Sequence, residues 1–138
     1  VMRKGATRAF PARHEGLLGT PFYEIGHPIL LPGSPRSGSV VMVADPGAEI
    51  TYYSVNHGAG RVMGRKRAKR ELDQGAINKS LSDADILTNC RNYPKDEAPV
   101  VYKDFEEVLK SIRLAGLATE VARLRARFVI KDEDFKSE

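Results

Sequence analysis

The sequence predicts an α+β fold, with a mixed or antiparallel sheet first and helices in the C-terminal half. Two observations support this prediction: β-branched runs between residues 39 and 55, and apolar residues at helical spacing after Asp104. The chain has 138 residues and a hydrophobic content of 41%, which suffices for the core of one domain and argues against wholesale disorder.

The strand predictions depend on short apolar runs bounded by turn residues. Residues 29–31, Ile-Leu-Leu, lie between prolines and predict a short buried strand within a glycine- and proline-rich first segment. The run 39–44 predicts a second strand, and Asp45-Pro46-Gly47 after it is a strong turn signal. Residues 50–55 predict a third strand, which we expect to pair with 39–44 as a β-hairpin.

A basic helix is predicted from about residue 61 to residue 74. Val62, Met63 and Leu72 supply a thin apolar side, and most other residues are charged. The stretch 61–70 is dense in arginine and lysine and contains no acid. A shorter helix is expected at 83–87.

The third helix has the clearest sequence signals. Asp104 occupies the position of an N-cap, and Glu107 stands three residues later, as in a capping box. Apolar residues follow at helical spacing, and Gly116 is expected to end the helix. A further helix is predicted at about 117–125, and a closing strand at 128–130.

Composition limits the classes of function. The net charge of +4 is mildly basic and by itself weak evidence for a nucleic-acid partner. Cys90 is the single cysteine, so no intramolecular disulfide forms, and one thiol with three histidines is too little for a structural zinc site. No apolar run approaches the length of a bilayer span. We therefore expect no membrane partner and a cytoplasmic setting.

The stretch 54–61, Ser-Val-Asn-His-Gly-Ala-Gly-Arg, is the strongest functional signal. Gly58 and Gly60 have no Cβ, so a ligand can approach the main chain, whose N–H groups form an anion-binding concavity. A helix beginning near Arg61 would add partial positive charge there. Neutral imidazole is a competent nucleophile near pH 7, so His57 could attack a phosphoanhydride. The alternative is a histidine that only fills a turn.

Arg61 and Arg65 are four residues apart and would share one face of the predicted helix. Guanidinium groups bind phosphate bidentately, so both could serve one phosphate site. The alternative is a solvated cationic face. That alternative, or contact with a nucleic-acid backbone, also applies to the four cations that follow: Lys66, Arg67, Lys69 and Arg70.

The stretches 32–34 and 37–39 form a second loop of small residues. Its hydroxyl and amide groups could hydrogen-bond a nucleotide, or it could be only a turn before a strand, and the pattern does not separate the two. Tyr102 and Lys131 belong to no local motif. Pattern alone assigns them to a strand edge and to the surface.

Four blocks have a familiar order: Arg-Lys-Gly-Ala-Thr-Arg-Ala-Phe-Pro at 3–11, Pro-Gly-Ser at 32–34, His-Gly-Ala-Gly-Arg at 57–61, and Tyr-Lys-Asp at 102–104. Together they resemble the C-terminal part of the RtcB family of RNA-splicing ligases. The resemblance implies that 1–138 is the C-terminal part of a larger RtcB-like ligase domain, without the upstream metal-binding part.

The resemblance also implies a reaction. Members of the family join RNA ending in a 3′-phosphate or 2′,3′-cyclic phosphate to a 5′-hydroxyl end, and they use GTP and Mn²⁺. His57 would attack GTP and carry GMP as a phosphoramidate, GMP would pass to the RNA 3′-phosphate, and the 5′-hydroxyl would displace it. An archease-type activator is implied as a further partner.

Residue roles follow from the same resemblance. Arg61 and Arg65 match the family's phosphate-contacting arginines, and Lys4 matches a lysine near the reacting phosphates. Tyr102 is implied to pack near the guanine, and Lys131 to read a guanine edge. The implied guanosine site consists of Pro32, Gly33, Ser34, Pro35, Ser39, His57, Gly58, Ala59, Gly60, Tyr102 and Lys131.

The sequence departs from the family pattern in several places. Cys90, His14 and His27 do not match the family's metal ligands, so no metal ligand is expected in this chain. The loop after Ser34 continues Pro-Arg-Ser where Met-Gly-Thr is usual, and Gly64 replaces a usual serine.

Two consequences follow for function. Without metal ligands the imidazole would face unneutralised triphosphate charge, so we expect the 138-residue chain alone not to guanylylate itself at a useful rate. The competing function is a non-catalytic basic nucleic-acid-binding module whose basic helix grips phosphates without chemistry.

Overall fold

A computed structural model of the chain describes residues 2–3 and 5–131. The strands are β1 (Met2–Arg3), β2 (Ala6–Arg8), β3 (Pro28–Pro32), β4 (Ser39–Ala44), β5 (Ser54–Asn56), β6 (Leu87–Thr88), β7 (Ala118–Leu124) and β8 (Phe128–Val129). The α-helices are α1 (Arg65–Glu71), α2 (Gln74–Ser82) and α3 (Phe105–Leu114). This mixture of helices and mainly antiparallel sheets confirms the predicted class. Within the described ranges, no helix combines the length and apolar character needed to cross a membrane.

The main sheet has the order β3-β4-β7 and is antiparallel throughout. The predicted strands at 29–31 and 39–44 are confirmed, because Leu30 pairs with Val41 in the register of β3 and β4. Alternate residues of β4 point into the core, since Val40, Met42 and Ala44 are all buried. Helix α3 covers this face.

The predicted β-hairpin is wrong. Residues Pro46–Thr51 form a 3₁₀-helix with proline in its first turn, as the fixed φ of proline favours. Tyr52 and Tyr53 then adopt positive φ angles of 51° and 53°, which redirect the chain. Strand β5 consequently pairs with β2, where Val55 lies opposite Thr7. This pairing brings the segment before His57 next to the N-terminal strands.

The predicted helix at 117–125 is also wrong, because these residues form strand β7. Its backbone groups pair with the free edge of β4, from Ala118 opposite Ala44 to Leu124 opposite Ser39. A register shift lies between Val41 and Met42. Val121 and Leu124, which were predicted to share the apolar face of a helix, are exposed in this strand. Pairing with a distant strand overrides the local 3.6-residue spacing.

The basic region contains two short helices instead of one. Helix α1 begins at Arg65 with Gly64 as N-cap, and helix α2 begins after Asp73, whose carboxylate accepts a 2.7 Å hydrogen bond from Ala76 N. The helix predicted at 83–87 is wrong, since α2 ends at Ser82. Both helices contribute to a second apolar cluster that includes Ala68, Ile77, Leu81, Tyr93 and Val101.

Helix α3 follows its sequence signals closely. The Asp104 carboxylate accepts hydrogen bonds from Glu106 N at 2.9 Å and Glu107 N at 3.1 Å, and Gly116 has a φ of +64° just past the helix end.

Asp104→Ala leaves the N–H groups of Glu106 and Glu107 without their cap, so we expect a loss of about 1 kcal/mol in the free energy of unfolding. Urea denaturation measures this loss. Asp83→Ala, which removes only a surface ion pair with Lys79, is the control and should cost less than about 0.5 kcal/mol. Equal losses in the two variants would contradict the capping role.

Candidate nucleotide-binding site

A cleft of about 490 Å³ opens between the loop after β3, the loop after β5 and the end of the chain beyond β7. Every residue that the family resemblance assigned to a guanosine site lines this cleft. The complete lining is Pro32, Gly33, Ser34, Pro35, Gly38, Ser39, His57, Gly58, Ala59, Gly60, Tyr93, Glu97, Tyr102, Leu124, Arg125, Ala126, Val129 and Lys131. The fold therefore gathers distant segments of the sequence around one space.

The 57–60 loop is fixed at both ends by hydrogen bonds. Asn56 Nδ2 donates to Gly58 O at 2.8 Å, and Gly60 O accepts from Lys103 N at 3.1 Å. Ala59 is buried, and its N–H donates to Pro32 O at 3.1 Å. A Cβ on Gly58 would lie 3.2 Å from that same carbonyl oxygen. The missing Cβ at this position thus allows the two loops of the cleft to approach each other.

The imidazole of His57 is half-buried in the wall of the cleft. Its Nδ1 atom is enclosed and has no hydrogen-bond partner among the described residues. Among the residues that the structure describes, none accepts a hydrogen bond from the N–H group of Gly58 or of Gly60. Gly60 has a φ of +77°, which bends the main chain at this point. These unpaired main-chain donors make the loop suitable for an anion.

The 33–38 loop is closed by its own hydrogen bonds. Gly33 N donates to Gly38 O at 2.9 Å, and Gly38 N donates to Ser34 O at 2.8 Å. Ser37 reinforces this closure, because its Oγ accepts from Ser34 N at 2.7 Å and lies 2.9 Å from Ser34 Oγ. The unusual Pro-Arg-Ser sequence therefore forms a compact turn, with Ser34 facing the cleft.

Arg61 and Arg65 do not share a helix face, because α1 begins only at Arg65. The expected helix start near Arg61 is wrong for the same reason. The guanidinium of Arg61 donates to Asp96 O at 2.6 Å and to Met63 O at 3.2 Å, and its central carbon lies 5.3 Å from the centroid of the Tyr102 ring. Neither arginine lines the cleft. Their contact with phosphate stays a prediction.

Arg65 forms an ion-pair network with two carboxylates, one of which belongs to Glu97, a residue of the cleft lining. It donates to Asp96 Oδ2 at 2.9 Å and to Glu97 Oε1 at 3.5 Å. Burial opposes ionisation of Asp96, but the hydrogen bond from Arg65 and the charge of Lys69 outweigh it and keep its pKa below the usual range. A hydrogen bond from Lys131 lowers the pKa of Glu97. Both carboxylates are therefore charged near neutral pH.

The other cations of the basic helix are partly neutralised within the chain. Arg67 Nε and Arg70 Nη2 each lie 2.6 Å from Glu71, whose pKa is lowered by these hydrogen bonds, and Lys69 Nζ lies 3.8 Å from Asp96. The surface that a basic nucleic-acid-binding module would use is therefore less positive than residues 61–70 alone indicate.

Lys4 lies outside the described residues. Within the residues the structure does describe, no group of three or more His, Cys, Asp or Glu side chains could hold a metal ion. Cys90 is buried, His14 stacks on Phe10, and His27 Nδ1 lies 2.8 Å from Arg8 O. The donors present here thus do not fit Mn²⁺.

Several residues of the cleft were missed by sequence reasoning. Tyr93 is almost fully buried and Glu97 lies five residues before Tyr102. Residues 124–126 are the last residue of β7 and the two that follow it, in a region that the sequence predicted as helix. Only Glu97 had a usable signal, as an acid close to a family block. The others reach the cleft through tertiary packing.

An enclosed imidazole, unpaired glycine N–H groups and an aromatic–lysine wall together define a candidate nucleotide-binding site on an α+β fold. Comparison with known proteins identifies the family. The family model described as tRNA-splicing ligase RtcB matches residues 1–132. The chain therefore belongs to the RtcB family.

Curated relatives give the same assignment. A tRNA-splicing ligase RtcB of Pyrococcus abyssi is 40% identical over 134 residues, which are 95% of this chain and 14% of that protein. A tRNA-splicing ligase RtcB of Nanoarchaeum equitans is 37% identical over 95% of this chain and 28% of its own length. An RNA-splicing ligase RtcB of Mycobacterium bovis is 38% identical over 90% of this chain and 29% of its own length. The chain thus spans less than a third of each of these relatives.

Proposed function

We propose that this chain is the C-terminal part of a GTP-dependent RNA ligase and supplies its nucleophile and much of its guanosine pocket. One observation carries the proposal: His57 shares a single cleft with Ser34, Tyr102 and Lys131, although these residues are far apart in sequence. The cleft volume lies within the range of roughly 300–1,000 Å³ typical of small-molecule sites. Membership of a family whose relatives are named as ligases supports the same function.

The proposed arrangement assigns each side of the cleft to one part of GTP. The base packs near Tyr102, with the Lys131 ammonium at its edge, and the ribose lies along the 33–39 loop. The phosphates meet the free N–H groups of Gly58 and Gly60. This places the α-phosphorus beside the imidazole of His57.

The proposed chemistry has three steps. With the proton on the enclosed Nδ1, His57 Nε2 attacks the α-phosphorus; an N–P bond forms, the bond to the β-phosphate breaks, and pyrophosphate leaves. An oxygen of the RNA 3′-phosphate then attacks the GMP phosphorus and releases the imidazole. Finally the RNA 5′-hydroxyl attacks the activated 3′-phosphate, GMP leaves, and the hydroxyl proton passes to solvent or a base.

Other parts of the proposal come from the family resemblance. Mn²⁺ would be held by residues outside the set described here, and it would neutralise phosphate charge. RNA with a 3′-phosphate or cyclic phosphate and a 5′-hydroxyl end is the proposed substrate. A cyclic phosphate would first be hydrolysed: water attacks the phosphorus, the 2′-oxygen leaves as a hydroxyl, and the 3′-phosphate remains. An archease-type activator and a cytoplasmic setting are proposed on the same basis.

Proton NMR of the histidine rings tests the nucleotide site directly. The chain has three histidines, and the His57 signal is identified as the one absent from His57→Gln. We expect this signal to shift during titration with GTP, while the His14 and His27 signals stay in place because these rings do not line the cleft. Absence of any shift of the His57 signal at millimolar GTP would overturn the proposal.

The basic-module alternative predicts a different result. RNA binding would then persist in His57→Gln and disappear when the cations of 65–70 are replaced by glutamine. The ion pairs that Arg67, Lys69 and Arg70 form within the chain reduce the positive charge available for such binding.

A further inference from the structure

We propose that Asn89 and Glu97 are positioning residues that hold Lys131 in the orientation in which its ammonium group reads the nucleotide base. The inference rests on the proposed guanosine site. It extends that site to two residues that neither the sequence motifs nor the comparisons single out.

Asn89 holds the main chain of Lys131. Asn89 Nδ2 donates to Lys131 O at 2.8 Å, and Asn89 Oδ1 accepts from Lys131 N at 2.9 Å. The preceding residues belong to the parallel pair of β6 and β8, in which Thr88 lies opposite Val129. The asparagine amide thus continues this short ladder by two further hydrogen bonds and fixes where Lys131 leaves it.

Glu97 holds the other end of the same residue. It lines the cleft itself, and its Oε2 accepts a short hydrogen bond from Lys131 Nζ. The other carboxylate oxygen of Glu97, Oε1, lies 3.5 Å from Arg65 Nη1. The main-chain N–H of Glu97 donates to Pro94 O at 3.0 Å, so both the carboxylate and the backbone of this residue are held. An ammonium group has three N–H donors, and this contact uses one of them. The remaining donors are available to acceptors in the cleft.

Fixing both ends of a lysine matters because its side chain has four rotatable bonds. An unrestrained lysine loses much of its rotamer freedom when it is ordered. Holding it in place before the ligand arrives removes much of this cost from binding. This gain in affinity applies to a base that presents a hydrogen-bond acceptor to the Lys131 ammonium, such as the O6 oxygen of guanine. It is smaller for adenine, which has an amino donor there.

The experiment compares GTP and ATP affinities of the 138-residue chain by histidine-ring NMR titration. We expect Lys131→Ala, Glu97→Ala and Asn89→Ala each to lower the preference for GTP over ATP by roughly tenfold, which is the lower end of the loss expected for one charged hydrogen bond to the base. Glu97→Gln, which keeps the shape but not the charge, should have a smaller effect. Asp83→Asn, which changes an exposed ion pair outside the cleft, is the matched control and should leave the preference unchanged.

A double-mutant cycle separates positioning from direct contact or misfolding. If Glu97 acts through Lys131, Glu97→Ala should have no further effect on base preference in the Lys131→Ala background. Lys131 should also react several-fold faster with an amine-acylating reagent in Glu97→Ala and Asn89→Ala, as measured by mass spectrometry without any nucleotide.

The outcomes distinguish this inference from the proposed function. Normal base preference in Glu97→Ala and Asn89→Ala, with unchanged acylation of Lys131, overturns the positioning roles alone. A wild-type chain without preference for GTP overturns the guanosine site and, with it, the base-reading role. Reduced preference together with faster acylation supports both.

Discussion

Replacing His57 with alanine is expected to abolish formation of the proposed covalent GMP adduct. The test uses a chimera in which this chain replaces the matched segment of the Nanoarchaeum equitans relative, because the chain alone is not expected to label itself. Loss of the proposed nucleophile should lower acid-labile labelling by at least about a thousandfold, because the N–P bond of the proposed intermediate is made to this imidazole. The other basic side chain of the implied guanosine site, Lys131, is ion-paired with Glu97. Labelling with [α-³²P]GTP and Mn²⁺ measures the effect.

His14→Gln in the same chimera is the matched control. The His14 ring stacks on Phe10 at 4.1 Å between centroids and does not line the cleft, so this variant should label normally. Adduct retained in His57→Ala, or located at another residue by mass spectrometry, would contradict the assigned nucleophile. Robust labelling of the unfused 138-residue chain would instead refute the expectation that it is inactive alone.

Gly38→Ala is expected to be the most destabilising single substitution in the cleft loops. Gly38 has a φ of +76°, and a Cβ there would lie 2.1 Å from Leu124 O. The obstacle is main chain, so rotating a side chain cannot relieve it, and the 33–38 loop or β7 must move. We expect a loss of about 2–4 kcal/mol in the free energy of unfolding, which combines backbone strain with overpacking. Urea denaturation of the purified chain measures it.

Gly19→Ala separates these two contributions. Gly19 has the same φ of +76°, yet a Cβ added there would have no atom within 4 Å, so this variant carries the backbone strain alone. A loss of about 1 kcal/mol is expected for it. The difference between the two variants then reports the contact between Gly38 and the end of β7. Similar losses in both would show that this contact is unimportant.

Local signals predicted the elements that depend on local interactions. Helix α3 has its cap at Asp104 and its stop at Gly116, and both signals lie within the helix and its flanks. Strand β4 contains three valines among its six residues. By contrast, β5 and β7 are set by distant partners, Ala6–Arg8 and Ser39–Ala44, which no short window of sequence reveals. The wrong partner predicted for the strand at 50–55 and the helix predicted in place of β7 both result from this non-local pairing and not from a weak local pattern.

The site shows the same division. The 57–60 loop could be predicted from its glycines, because anion binding by such a loop depends on consecutive residues. Tyr102 and Lys131 could be predicted only from the family resemblance, since tertiary packing alone brings them to the cleft. The roles of Asp96 and Glu97 as partners of Arg65 could not be inferred from spacing, because 31 or more residues separate the pairs.

The parallel pair of β6 and β8 has a consequence for how the cleft is assembled. It consists of two residues on each side, and its hydrogen bonds join positions more than 40 residues apart, with α3 and β7 between them. Closing so long a loop for so few bonds is entropically unfavourable until the intervening elements have docked. The base-side wall should therefore form late in folding. Nascent or truncated chains that end before residue 128 would present the imidazole and its loop without the wall that we propose selects the nucleotide.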